Sequence, residues 1–488
     1  MDAVSRPLRL SAALGLALLL TLVASAAAID TGARARQQAP AIGVSFAGIR
    51  EHLAAFQAIA RRNGGNRFAG TRGYDESASY VARRMRAAGY RVRVQDFVVP
   101  FVLDRTPPTL QPAQASVWPY RAGRDFATLG YSGSGRVEGP VVAVDLVVPS
   151  PEPNASTSGC EDADFAGFPR GAVALLQRGT CTFRAKVANA IEAGARAVVV
   201  FNEGNNGRRD LVAGTLGTPQ VRIPALAASF ALGDELRGGV RTGPTGVTVR
   251  LSADMIAERR RTRNVIAESR TGRAGNVVLV GAHLDSVQRG PGINDNASGS
   301  AVILEVAEQI AGTKPRNRLR FVWWGAEELG LLGSRHYVQR LSPAARRQIA
   351  LYLNADMVGS PNFVRFVYDG DANGAPAGSA AIERVFTRYF RSRSIEYRES
   401  GLGGGSDHAS FAAAGIPVGG LFTGADGRKS SDEAAAFGGR AGEPYDPCYH
   451  RPCDTLANVN ARALDQLGDA LTHAVLRFAR DSSRVNGR

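Results

Sequence analysis

From Asn264 onward, apolar runs of strand length alternate with helical patterns, and this alternation constrains the fold more than any other feature of the chain. The runs are NVVLVGAH (276–283), LRFVWWGA (319–326), IALYLNADMV (349–358), FVRFVYDG (363–370) and VGGLFTG (418–424). Between and after them lie helical segments such as SAVILEVAEQIAG, SAAIERVFTRYF and NARALDQLGDALTHAVLRFAR. The last carries Leu464, Leu467, Leu471, Val475 and Phe478 on one face. Strands buried on both faces read as continuous apolar runs, so the pattern predicts an α/β fold: a mostly parallel mixed sheet flanked by helices. In such sheets ligands bind beyond the carboxyl ends of the strands. His283, the pair Glu327–Glu328, and Asp356 each follow a different strand, which directs all three to one crevice.

The residues at that edge suit a metal. The chain holds six histidines, and His283 closes an apolar run with Asp285 two residues on and Asp295 in the turn GINDNASGS. Imidazole nitrogen and carboxylate oxygen are good zinc ligands, and a catalytic site leaves a position open for water. The candidate ligands are His283, Asp295, Glu328, Asp356 and His450. One catalytic ion needs three protein ligands, so this set points to two ions sharing a carboxylate, a pair that stands about 3.5–4 Å apart in aminopeptidases and phosphatases. Asp285 is placed to accept the other ring N–H of His283, fixing its tautomer. Each fragment alone has a plain structural reading: a strand-end histidine is usually polar surface, and a Glu-Glu pair is usually a solvated helix face. Their coincidence at one edge decides for a site. His52, His336 and His473 lie in helical patterns without such company and read as structural.

Upstream the texture differs. IREHLAAFQAIARR and ESASYVARRMRAAG read as amphipathic helices and RVRVQDF as a strand. Residues 104–120 are rich in proline, and short β runs such as VVAVDLVV and ARAVVVFNEG fill about 136–252, interrupted by one clear helix, FRAKVANAIEAG. A module inserted into the first domain is expected: catalytic domain over 45–117 and 253–482, insert over 118–252. At the N-terminus Arg6 and Arg9 precede LSAALGLALLLTLVA, and the small residues ASAAA follow. This is the pattern of a Sec-type signal peptide over 1–28, and the apolar run reaches membrane-anchor length only if counted to Ile29. The mature protein is therefore expected to be secreted or periplasmic, with no stable membrane insertion. In an oxidising compartment Cys160, Cys181, Cys448 and Cys453 should pair, and the local pairing, Cys160–Cys181 with Cys448–Cys453, is favoured among three connectivities. The formal charge is +15, but the arginines are dispersed and no basic block interleaves with aromatics. Nucleic acid is not an expected partner.

GAHLDSV, GINDNASGSA, WWGAEELGLLGS, NADMVGSPN, SDHASFAAAGIPVGGLFTGA and CYHRPCD resemble, in order, the motifs of the secreted bacterial di-zinc aminopeptidases, especially the streptomycete leucine-type enzymes. The similarity covers about 46–97 and 262–480. The intervening GTCTFRAKVANAIEAGARAVVVFNEG and RIPALAASFALGDEL resemble an inserted protease-associated domain, a β-rich α/β module. The resemblance implies a zinc-exopeptidase fold with two Zn²⁺ ions. It places His283 and Asp356 on one ion, Glu328 and His450 on the other, and Asp295 between them through a cis Asp295–Asn296 bond. Glu327 would be the general base, Tyr449 the oxyanion donor, and Asp285 the group orienting His283. Leu421 and Phe422 would line an apolar substrate pocket. The substrates would be peptide or protein N-termini, and the enzyme a monomer. Two positions depart from the family. Gly405 stands where an arginine precedes Ser-Asp-His, and Ala41 and Ala461 replace acidic calcium ligands of which Asp465 alone is kept, so no calcium is expected. A glutaminyl cyclase would use one zinc, a receptor ectodomain would have lost ligands, and a carboxypeptidase would need a cationic clamp. The complete ligand set favours the aminopeptidase.

Overall fold

Thirteen strands among the described residues join in one sheet. The structure, a computed structural model, describes residues 43–113, 119–212, 214–217 and 221–488; the expected signal peptide and Ala41 lie outside them. In chain order the strands are β1 (Arg91–Pro112), β2 (Phe126–Thr128), β3 (Gly135–Ala143), β4 (Val173–Gln177), β5 (Ala197–Phe201), β6 (Ala225–Ala228) and β7 (Gly243–Glu268). They continue with β8 (Arg273–His283), β9 (Asn317–Trp324), β10 (Ile349–Ala355), β11 (Phe366–Tyr368), β12 (Arg398–Ser400) and β13 (Val418–Phe422). Their order is β12-β11-β13-β10-β8-β9-β7-β3-β4-β5-β6-β2, with β1 paired to β7.

The sheet has two parts. β13, β10, β8 and β9 run parallel, so His283 and the residues just after β9 and β10 arrive at one edge. Along β8, successive side chains feed opposite faces, as the period of two requires. Val278 and Val280 enter a core with the helices Phe46–Arg62 (α1), Arg72–Ala87 (α2) and Ala461–Arg480, while Leu279 joins Trp324, Tyr352 and Phe411 on the other side. Burying each such aliphatic side chain is worth about 1.5–3 kcal/mol. In the second part β3, β4, β5 and β6 are parallel, and alternate residues of β4 serve two further cores.

The long antiparallel ribbon of β1 and β7 joins the parts, because β7 pairs with β9 at one end and β3 at the other. The proline-rich stretch read as a change of texture is thus partly strand. Pro107 and Pro108 fall where the β1–β7 register shifts between Thr106 and Thr109, which spares the ladder their missing N–H groups. The inserted region also holds a second helix, Phe230–Arg237, besides the expected Phe183–Glu192. Ser229 caps its start and left-handed Gly238 ends it; eight residues were too short for periodicity to reveal. Among the described residues no helix is long and apolar enough to cross a membrane.

Candidate metal centre

His283 ends β8, Glu327 and Glu328 follow β9, and Asp356 follows β10. Asp295 arrives on the buried turn Ile293–Ser298, and its peptide bond to Asn296 is cis. His283 Nε2 stands 3.2 Å from Asp295 Oδ1, 3.3 Å from Asp356 Oδ1 and 3.9 Å from Glu327 Oε2. His450 Nε2 stands 3.1 Å from both Asp295 Oδ2 and Glu328 Oε2. Asp295 therefore turns one carboxylate oxygen toward each histidine.

Buried supports fix these groups. Asp454 accepts hydrogen bonds from the backbone N–H groups of Asn294 (2.7 Å) and Asp295 (3.0 Å), and Ser406 donates to Asp356 Oδ2 at 2.5 Å. Neither was singled out from sequence, although each stands within a quoted motif, CYHRPCD or SDHASF. Asp285 was expected to orient His283. Its backbone carbonyl lies 3.2 Å from Nδ1, whereas its carboxylate stands 3.7 Å away and accepts from the backbone N–H groups of Glu327 and Glu328 at 3.2 and 3.3 Å. Asp285 thus holds the glutamate turn as well as the histidine. Disulfides join Cys160 to Cys181 and Cys448 to Cys453, the latter closing the turn that carries Tyr449 and His450, whose rings stack at 3.8 Å.

Charge is unbalanced here. Burial pushes Glu327 well above the carboxylate range, reinforced by Asp356 and Asp407, and burial with Asp295 raises Glu328 to about 7. Burial opposes a charge on His450, yet Asp295 and Glu328 raise it to about 10. Glu328 Oε1 and Asp356 Oδ1 are buried without any hydrogen-bond partner. An unpaired buried carboxylate oxygen is costly unless a cation meets it. With imidazole and carboxylate donors in two groups, His283–Glu327–Asp356 and Asp295–Glu328–His450, the residues fit divalent metal.

The groups line a cavity of ≈ 200 Å³ together with Met357, Tyr368, Leu402, Gly405, Phe422 and Tyr449. Phe422 is where the sequence put it. Leu421 is not: neighbouring strand residues face opposite ways, and it packs in the core with Val367 and Ile382. At Gly405 a side chain would meet open space. His52, His336 and His473 stand apart, against Tyr80, Phe97 and Tyr389.

The profile of Peptidase family M28 matches residues 264–475 and that of the PA domain residues 137–236. An aminopeptidase of Pseudomonas aeruginosa is 45% identical over 430 residues, covering 87% of this chain and 79% of the relative. The chain belongs to peptidase family M28. Leucine aminopeptidase 2 of Trichophyton rubrum is 36% identical over 85% of this M28 chain and 80% of its own length. A solved zinc aminopeptidase from Bacillus subtilis shares 25% identity, covers 90% of this chain and 97% of its own, and superposes with a TM-score of 0.62.

Proposed function

We propose that this hydrolase is an exported two-zinc aminopeptidase that removes large apolar residues from peptide N-termini. The divided carboxylate of Asp295, one oxygen toward each histidine, carries the reading. His283 and Asp356 would hold one ion, Glu328 and His450 the other, with Asp295 shared. Zinc bound there would polarise the scissile carbonyl and lower the proton affinity of water.

The protein's own groups supply the rest. Glu327 Oε2 faces the His283 side, and its burial favours carrying a proton, so it suits taking one from the attacking water and returning it to the leaving amine. Tyr449 lines the cavity, and burial raises its phenol, so it stays a donor for the developing oxyanion. Glu327 and Asp356 offer negative charge to the substrate's ammonium. Met357, Leu402 and Phe422 give the cavity apolar surface. Each CH₂ buried there is worth roughly 0.8 kcal/mol, which favours leucine, methionine and phenylalanine over alanine and glycine. Export is supported by the leader pattern together with two disulfides.

Zinc content measured together with rates on Leu-p-nitroanilide and its N-acetyl derivative tests the reading. Two zinc per chain, fast cleavage of the first compound and almost none of the second are expected. Equal rates would overturn the aminopeptidase assignment even with both ions present.

A further inference from the structure

The segment from Leu284 to Gly292, which contains neither helix nor strand, leads from one proposed ligand, His283, toward another, Asp295. Most of it is buried, so its carbonyls need donors from elsewhere. Arg67, fully buried between α1 and α2, supplies them. Its Nε donates to Pro291 O at 2.9 Å, Nη2 to Gly292 O at 2.6 Å, and Nη1 to Leu284 O. Its backbone N–H donates to Ser286 Oγ at 2.9 Å, and that hydroxyl reaches Gly290 O at 3.0 Å. Gly292 permits the approach: its φ is +62°, and a Cβ there would lie 2.3 Å from Asp295 O.

We propose that Arg67 is a positioning residue of the metal centre, whose planar fork ties both ends of the Leu284–Gly292 loop and so sets the spacing of His283 and Asp295. The inference rests on the reading of those two residues as ligands. A guanidinium presents its donors in a fixed fork, whereas an ammonium is a point donor on a flexible stem, so the arrangement is specific to arginine. The cation also feels the negative charge of Asp285, Asp454, Asp295 and Glu328. Burial lowers it to about 10 against their pull, which leaves it charged at neutral pH.

The test is Arg67→Lys in the full chain, with Ser286→Ala as a milder cut in the same brace. Release of zinc to a chelator at 25 °C and the visible spectrum of the cobalt-loaded protein are measured beside the unfolding of the metal-free form. Supports of this kind typically carry about 10–100-fold in metal affinity. Arg67→Lys should weaken zinc binding on that scale and alter the cobalt spectrum, and Ser286→Ala should do so less. If Arg67→Lys does not fold, Ser286→Ala decides alone. A lowered unfolding temperature with unchanged zinc release would make Arg67 merely structural and overturn the proposal. A wild-type chain that binds no zinc would overturn the proposed function as well; wild-type binding with an unaffected variant overturns this inference only.

Discussion

The catalytic edge and the inserted region treat buried acids in opposite ways. In the insert, Glu203 is fully buried, and its carboxylate meets Arg208 at 2.7 Å and the backbone N–H of Asn154 at 2.6 Å. At the catalytic edge, Glu328 Oε1 and Asp356 Oδ1 are buried with no hydrogen bond, although His450 and Ser406 meet the other oxygen of each. Breaking a buried ion pair typically costs about 3–5 kcal/mol because a naked charge remains. The unbonded oxygens of Glu328 and Asp356 would be completed by the proposed cation, whereas Glu203 needs none. The same contrast separates two histidine clusters. His52 lies 3.6 and 3.7 Å from Glu305 and Glu308, but Arg84 already binds both oxygens of Glu308. Among the described residues no arginine hydrogen-bonds Asp295 or Glu328, whose near partners are His283 and His450.

The sharpest way to break this comparison is at the adjacent glutamates. Glu327→Ala should retain both zinc ions and lose about 10²–10⁴-fold in turnover, the usual share of a general base. Glu328→Ala should lose metal, and its effect should shrink when zinc is supplied in excess. Atomic absorption with initial rates separates the two. Normal turnover in Glu327→Ala would reverse the roles assigned to the pair.

The candidate ligands stood out in the sequence because they sit where a regular pattern stops: His283 ends a strand, and Asp356 follows one. Phe422 was legible for the same reason. Leu421 was misread because an apolar stretch does not show which alternate residue faces the cavity. Arg67, Asp454 and Ser406 were illegible for a different cause. Their partners lie far along the chain or on the backbone, as when Arg67 reaches carbonyls 217 to 225 residues away. The β1–β7 ribbon was hidden by its prolines, since a shift of register leaves no periodic mark.

A smaller effect sharpens the comparison from the insert's side. Lys186 is buried, donating to Ser158 O with Cys160 Sγ at 3.4 Å, and burial lowers its pKa to about 8 against the pull of Asp164, Glu203 and Asp145. An unfolded lysine holds its proton to about 10.5. Between these values the unfolded chain binds more protons, so stability rises with pH from about 8 to 10.5 and is flat in this group below 8. Urea unfolding followed by a probe in the insert should show that rise, and Lys186→Met should remove it. The same slope in wild type and variant would mean that Lys186 is not its source.

The smallest effect is expected from removing the insert, because none of the proposed ligands lies in it. The cut must follow the ribbon. Leu110 and Ala253 belong to the insert's core, so excising 118–252 alone would strip their packing and leave them exposed. Asp104 and Met255 are partners across the ribbon, and a two-residue Asn-Gly turn joining them would close a type I′ hairpin. That cut keeps Val102, whose carbonyl accepts from Gln288 in the loop between His283 and Asp295. Zinc content and turnover of Leu-p-nitroanilide should stay near wild type in this variant, whereas the rate on long peptides should change, since removing the module changes the surface open to a peptide that extends beyond the cavity. If the shortened protein folds but loses zinc, the two regions are not separable and the ribbon itself helps to hold the metal edge in place.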